Sequence, residues 1–394
     1  MKIRHLFYLP ALVLGLAVPA AAQQGHVNLD WNPQARAEGL LPFGAVVLSP
    51  EVHPDRTITF RVQAPQARSI LLEGGPMLLA LGEGTKPIPF EAGEDGVWSL
   101  TVGPVAPNLY IYKVRIDGAL GPDPNNTFTW AAAQPGYSTV VVPGDGPAYY
   151  DARNVPHGAV TRHVYHSDVT DGQRELFVYT PPGYDSTREY PVLYLLGGSG
   201  ELAGGWDYDG RASFIADNLL ADGRMEPTVI VMPNNQVIHR RHPEHTALTF
   251  DLFERELIQE ILPFVESAYR VRTDRRGRAL AGLSMGGRHA QLVGFKHLDA
   301  FASFGILSAG IAPEAGDTPE WVSNPAGFND RIDYLFVGLG TYEDTPTNRS
   351  VAFHQALEKH GIEHDYYIGG NGGHDWGTWR DHLHYMLPKL WRVD

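Results

Sequence analysis

The residues with the most specific chemical potential lie in Gly282-Leu283-Ser284-Met285-Gly286. A serine hydroxyl becomes a useful nucleophile only when a base takes its proton and its backbone pushes it clear of neighbouring side chains. The surroundings meet the second need. Arg278-Ala279-Leu280-Ala281 reads as a short strand and Arg288 to Lys296 as a helix, so Ser284 sits at a sharp strand-to-helix turn. A strained bend of this kind requires neighbours without Cβ two positions away on each side, and Gly282 and Gly286 supply them. The following helix aims its partially positive N-terminus at the site, where it favours a developing oxyanion, with the Met285 N–H as one donor.

A base and an acid should follow downstream, because strand–Ser–helix elbows of the α/β-hydrolase type run in the order Ser, acid, His. Of 17 histidines, His374 is best placed. It closes Gly369-Gly370-Asn371-Gly372-Gly373-His374, a glycine-rich loop between a strand at Asp365 to Ile368 and a helix beginning near Trp376. His289, His354 and His360 fall on expected helices, and His382 and His384 follow Trp376-x-x-Trp379. For the acid, the strand Tyr334 to Leu339 leads into Gly340-Thr341-Tyr342-Glu343-Asp344, where Glu343 or Asp344 would orient the imidazole. A second oxyanion donor is expected from the loop after an early strand. Leu195-Leu196-Gly197-Gly198-Ser199-Gly200 fits, with the Ser199 N–H as donor. Trp206, Tyr208, Trp376 and Trp379 are candidates for an aromatic acyl pocket, and Arg288 for a contact to a carboxylate or sugar. In His239-Arg240-Arg241-His242-Pro243-Glu244-His245, three imidazoles and a carboxylate invite a metal reading. Pro243 breaks any regular helical ligand face and the triad has no use for a metal, so a loop at the site rim is expected and no cofactor.

The elements that must position these groups fall into two halves of a 394-residue chain. At the start, Lys2 and Arg4, the apolar run Leu6 to Val18 and Ala20-Ala21-Ala22 have the form of a signal peptide cleaved after Ala22, which implies a periplasmic or secreted protein. No later segment is apolar for long enough to span a bilayer. Residues 23–150 carry short alternating runs at Thr57 to Val62, Ser69 to Leu72, Trp98 to Val102 and Tyr110 to Ile116, separated by Gly, Pro and Asp. These indicate an antiparallel β-sandwich. In the last run Tyr110, Tyr112 and Val114 face one way, and Ile111, Lys113 and Arg115 the other. Pro143 to Pro156 reads as a linker. In residues 151–394, strands at Glu175 to Thr180, Pro191 to Leu196 and Thr228 to Met232 alternate with helices such as Asp251 to Tyr269. That pattern gives a doubly wound, mostly parallel sheet. A net charge of −14 argues against a nucleic-acid partner, and the absence of cysteine excludes thiolate catalysis, disulfides and Cys-bound metals. Oligomeric state is not encoded in any pattern here.

From about Arg162 to Leu390 the chain resembles the putative esterase family, which includes feruloyl esterases of carbohydrate esterase family one, enterochelin esterases and S-formylglutathione hydrolases. The resemblance rests on Leu193-Tyr194-Leu195-Leu196-Gly197-Gly198, Val229-Ile230-Val231-Met232-Pro233-Asn234, Ala281 to Gly287 and Gly372-Gly373-His374-Asp375-Trp376-x-x-Trp379-Arg380. Thr59 to Pro65, Asp95 to Trp98 and Val114 to Gly118 are similar to the immunoglobulin-like modules that precede carbohydrate-active catalytic domains. The family places its acid at the last position of Gly-x-x-Asp/Glu, which selects Glu343 counted from Gly340. It often carries His-Gly where this chain has Gly197-Gly198. The resemblance implies an exported serine esterase acting on feruloyl or acetyl esters of plant cell-wall polysaccharide. A siderophore esterase, an acyltransferase, or a glycan-binding protein whose hydrolase half no longer turns over are the alternatives.

Overall fold

The computed structural model describes residues 47–126, 128–130 and 136–391; the expected signal peptide at 1–22 and the first part of the 23–150 segment lie outside the described residues. Among its described residues the N-terminal half is all-β apart from one short helix, Gly75–Ala80. Its strands are β1 (Glu51–Val52), β2 (Ile58–Gln63), β3 (Ile70–Glu73), β4 (Ile88–Pro89), β5 (Glu91–Ala92), β6 (Val97–Val102), β7 (Asn108–Ile116), β8 (Ala119–Gly121), β9 (Thr129–Trp130) and β10 (Tyr137–Val142). One antiparallel sheet has the order β1-β2-β6-β5, the other β4-β3-β7-β10-β9 with β8 beside β7. Ile58, Phe60 and Val62 of the first sheet pack on Ile70, Leu72, Tyr110, Tyr112 and Val114 of the second, giving these sheets a shared core.

Strand β7 departs from the expected one-sided pattern. Tyr110, Tyr112 and Val114 do face the core between the sheets. The opposite face is also buried: Leu109 and Ile111 join a cluster containing Trp206, Trp376, Trp379 and Leu383 of the C-terminal half. Lys113 is covered as well, its ammonium 3.8 Å from the Tyr137 ring centroid. The alternation of apolar residues was legible; the second burial surface was not, because it belongs to residues from Trp206 to Leu383, remote along the chain.

The C-terminal half is built on one eight-stranded sheet. Its strands are β11 (Ala159–Ser167), β12 (Gly172–Thr180), β13 (Val192–Leu196), β14 (Val229–Pro233), β15 (Arg278–Leu283), β16 (Ser303–Leu307), β17 (Tyr334–Gly340) and β18 (Asp365–Gly369). The order is β11-β12-β14-β13-β15-β16-β17-β18. Strands β11 and β12 pair antiparallel, and β12 pairs antiparallel with β14. From β14 to β18 all pairings are parallel. Strand β13 shows why its sequence is continuously apolar: Val192, Tyr194 and Leu196 enter the core on one face of the sheet, Leu193 and Leu195 that on the other.

Two helices start earlier than their sequence suggests. The stretch expected from Asp251 begins at His245 and runs through a π-helical turn at Glu256–Ile261 to Ala268. The helix expected from Arg288 begins at Met285. Gly286 and Gly287 look like turn residues in sequence, yet both lie in the helix, and glycine is required there because a Cβ on either would lie 2.6 Å from a neighbouring atom. Among the described residues no helix is long and apolar enough to cross a membrane. Because Ile111 is 2% exposed in the cluster shared by both halves, Ile111→Ala should lower unfolding free energy by about 2–5 kcal/mol in denaturant melts.

Candidate active site

Strand β15 ends on Leu283, and Ser284 adopts φ 52° and ψ −114° before the helix Met285–Leu292 begins. A non-glycine residue held at positive φ is strained, and such strain persists only when the surroundings fix it. Here they do. The Ser284 N–H donates to the Leu307 carbonyl at 2.9 Å. A Cβ on Gly282 would lie 2.5 Å from the Gly286 carbonyl carbon, and one on Gly286 would lie 2.6 Å from the carbonyl oxygens of Leu196 and Gly197.

His374 reaches this serine from the loop after β18. Its Nε2 lies 2.9 Å from Ser284 Oγ, and its Nδ1 lies 2.7 Å from Glu343 Oε1. A carboxylate can only accept, so Nδ1 carries the proton and Nε2 is the acceptor for the serine hydroxyl. Glu343 is the acid that touches the imidazole; the neighbouring Asp344 is exposed. Glu343 Oε2 accepts from Ser308 Oγ at 2.5 Å and from the Gly340 N–H at 3.0 Å, and the Trp379 indole donates to Ser308 Oγ at 3.0 Å. Burial pushes the Glu343 carboxyl up, but hydrogen bonds and charge from His374, with Ser308 and Gly340, bring it below the usual carboxylate range. The Trp379 ring also stands edge-on to His374, with centroids 5.1 Å apart. Ser308 and the Trp379 indole were not foreseen in these positions. Ser308 does follow a parallel strand at its carboxyl end, a weak signal shared by many serines.

The loop after β13 lies against the elbow, and side chains hold several of its polar backbone groups. Trp206 Nε1 donates to Leu196 O at 2.9 Å, and Asn235 Nδ2 to Gly197 O at 2.8 Å. Glu201 Oε2 accepts the Gly198 N–H at 2.9 Å. Gln236 spans the loop tip, donating to Gly198 O at 2.8 Å and accepting from the Gly200 N–H at 2.9 Å. Between those two bonds the Ser199 N–H has no hydrogen-bond partner among the described residues. The Met285 N–H, first in its helix, has no intrahelical acceptor either. Asn235, Gln236 and Glu201 escaped the sequence reading because they stabilise backbone and form no recognisable motif. Glu201 also accounts for Gly197: a Cβ there would lie 3.0 Å from Glu201 Oε2.

Three aromatic assignments need correction, one of them Trp379, which is 1% exposed and packs against His374. Trp206 and Trp376 are 1% and 0% exposed, with ring centroids 5.2 Å apart, so they pack beneath the site and offer no face to a substrate. Tyr208 is 50% exposed and remains accessible. Arg288 is half-buried one helical turn beyond Ser284, and burial, with the nearby Arg349 charge, lowers its pKa. In the His239–His245 loop, the His239 and His242 rings accept from the N–H groups of Arg241 and Glu244, so both act as turn-forming acceptors. A cavity of about 680 Å³ lined by Leu292, Phe295, Ile311, Trp321 and Phe328 lies at the far end of the elbow helix and includes none of Ser284, Glu343 and His374.

The parallel sheet, the strained Ser284 turn and the histidine loop at its carboxyl edge together define an α/β-hydrolase fold of the esterase type. The chain belongs to the putative esterase family, whose description matches residues 167–390. It is 30% identical over 351 residues to an endo-1,4-β-xylanase/feruloyl esterase of Xylanibacter ruminicola, covering 87% of this chain and 46% of that protein. It is 27% identical over 257 residues to endo-1,4-β-xylanase Y of Acetivibrio thermocellus, covering 59% of this chain and 23% of that one. The chain therefore spans less than half the length of either relative. Among solved structures, a ferulic acid esterase of carbohydrate esterase family one from Anaeromyces mucronatus, in complex with ferulic acid, superposes with a TM-score of 0.54 at 26% identity, covering 62% of this chain and 96% of that chain. The enterobactin esterase of Shigella flexneri shares the fold at a TM-score of 0.65 and 17% identity, covering 85% of this chain and 93% of that chain.

Glu201 is fully buried beside the Gly198 N–H, and burial raises its pKa to about 8. A carboxyl raised in the folded state contributes stability that is present below the ordinary carboxylate range and is lost as pH rises through the folded value. Glu201→Gln keeps a neutral acceptor for Gly198. It should therefore melt close to the parent at about pH 5 and above it at about pH 9 in parallel thermal melts. Equal melting temperatures at both values would contradict the assignment.

Proposed function

We propose that the protein is a serine carboxylic-ester hydrolase working through Ser284, His374 and Glu343. The observation that carries this reading is the single imidazole bridging the Ser284 hydroxyl at 2.9 Å and the Glu343 carboxylate at 2.7 Å. His374 Nε2 takes the Ser284 proton as Oγ attacks an ester carbonyl, and Glu343 stabilises the imidazolium formed. The tetrahedral oxyanion is held by the N–H groups of Met285, at the start of the elbow helix, and of Ser199, in the loop after β13. Collapse, with proton return from His374, expels the alcohol. Water activated by the same imidazole then releases the acid from the acyl-enzyme. No step calls for a cofactor.

For the substrate, we favour feruloyl or acetyl esters of plant cell-wall polysaccharide. Support comes from the names of the xylanase-linked relatives and from the ferulic-acid-bound neighbour at 26% identity. Arg288 is retained as a substrate contact on the elbow helix, and the exposed Tyr208 as an aromatic one. We read residues 23–150 as an immunoglobulin-like module and 151–394 as the esterase unit, following a signal peptide at 1–22 that directs export. The face-to-face antiparallel sheets support the module reading. Acyl transfer to a sugar hydroxyl is the second reading, since the same acyl-enzyme serves both.

Ser284→Ala should reduce ester turnover by about 10⁴-fold or more, and a fluorophosphonate should label the parent at Ser284 stoichiometrically. Near-normal turnover by that variant would end the triad assignment. With methyl ferulate, acetylated xylan and an enterochelin-type ester compared in parallel, kcat/KM should be highest for one of the first two. Preference for the third would move the reading to siderophore hydrolysis, and sugar ester formed in the presence of an acceptor would move it to transfer.

A further inference from the structure

The loop that carries His374 has almost no side chains with which to fix itself. In Gly369-Gly370-Asn371-Gly372-Gly373-His374, Gly370 and Asn371 both take positive φ, 84° and 45°. Such a segment gains little from its own packing, and its conformation depends on where its backbone groups are bonded. Three consecutive carbonyls are bonded from outside. Gly372 O accepts from the Tyr342 N–H at 2.9 Å, close to Glu343 in the chain. Gly370 O and Asn371 O both accept from one group, the side-chain amide of Asn108, at 2.8 and 3.2 Å.

Asn108 is the first residue of β7 and belongs to the N-terminal half. Its amide is oriented with care: Oδ1 accepts from the Leu109 N–H at 2.8 Å, which turns the NH₂ toward the histidine loop. The side chain is buried and fits a notch in the catalytic half, since a Cβ on Gly377 would lie 2.0 Å from Asn108 Oδ1. Apolar packing presses it there, because Leu109 and Ile111 of the same strand enter the cluster of Trp376, Trp379 and Leu383. A second contact reaches the acid. Trp130 of β9 stands edge-on to Trp379 with centroids 6.1 Å apart, and Trp379 holds the Ser308 hydroxyl that in turn bonds Glu343.

We propose that the N-terminal all-β half is a working part of the active centre, with Asn108 a positioning residue that sets the His374 loop from across the chain. It touches neither substrate nor the reacting atoms. It acts by keeping the imidazole within reach of Ser284 and Glu343, so its loss lowers the rate of every chemistry that uses Ser284 and leaves binding unchanged. The inference rests on the triad reading given above.

The test uses the full chain and Asn108→Ala, together with Asn108→Asp, which keeps the shape and loses the donor. On p-nitrophenyl acetate, kcat should fall about tenfold or more in both while KM stays within about twofold. Fluorophosphonate labelling of Ser284 should slow in parallel, and amide exchange across 369–375 should rise while strands β15 and β16 stay protected. Parent kcat and parent labelling rate in Asn108→Ala would overturn the proposal, as would a loss accompanied by exchange throughout β15 and β16. Absence of labelling at Ser284 in the parent would instead overturn the triad reading. Should the variants not fold, the parent in rising urea decides. Labelling should disappear as β7 begins to exchange and before β15 does, and labelling that outlasts β7 protection would refute the coupling.

Discussion

The crowding around Ser284 is the constraint from which the rest of the site follows. At φ 52° and ψ −114° the hydroxyl is thrown clear of the sheet, and the chain stays there only because strand β15, the elbow helix and the loop after β13 are in direct backbone contact. Gly286 has the Leu196 and Gly197 carbonyls where a side chain would be, and Gly282 has Gly286. The same closeness brings the Gly197–Gly200 loop against the elbow, so Ser284 and that loop are placed by one packing event. Strain at the serine is thus balanced by contacts distributed over three elements, as backbone outliers at functional sites require.

Around this bend, polarity is arranged in two layers. Toward His374, hydrogen bonds run from Trp379 through Ser308 to Glu343 and on to the imidazole, so the Glu343 carboxyl is half-buried yet held toward its charged form. Toward the loop after β13 the supports are two side-chain amides, Asn235 and Gln236, and a Glu201 carboxyl whose burial raises its pKa to about 8 and so favours the neutral form. The difference has a physical sense. A fixed negative charge beside His374 favours the imidazolium, whereas a negative charge behind the Gly198 peptide would oppose an oxyanion.

Much of the site was legible because its residues answer local requirements. Gly282, Ser284 and Gly286 satisfy the geometry of a strand-to-helix turn, and His374 stands at the end of a glycine-rich loop after a strand. Glu343 needed the family resemblance to separate it from Asp344, since both follow β17. The aromatic residues were misjudged for an equally physical reason. Trp206 and Trp376 look like pocket linings in sequence, but an indole is also a large apolar volume, and both were taken into the core beneath the loop after β13. The groups that steady the site, Ser308, Asn235, Gln236, Glu201 and Asn108, carry no spacing signal, because each bonds a backbone atom remote in sequence.

Periodicity and turn chemistry were enough for the order of the main elements: alternating short strands first, then a mostly parallel α/β sheet, with a serine elbow, an acidic loop and a glycine-rich histidine loop at later strand ends; β10, β11 and β16 were not foreseen. Those features depend on periodicity and on which residues tolerate a given backbone conformation, both of which are local. Tertiary structure decided which carboxylate faces the imidazole, which aromatics are buried, and that the outer face of β7 is a second core surface with Asn108 against the histidine loop. Such outcomes depend on distances between groups far apart along the chain, and hydrogen bonds and close packing act only over a few ångströms.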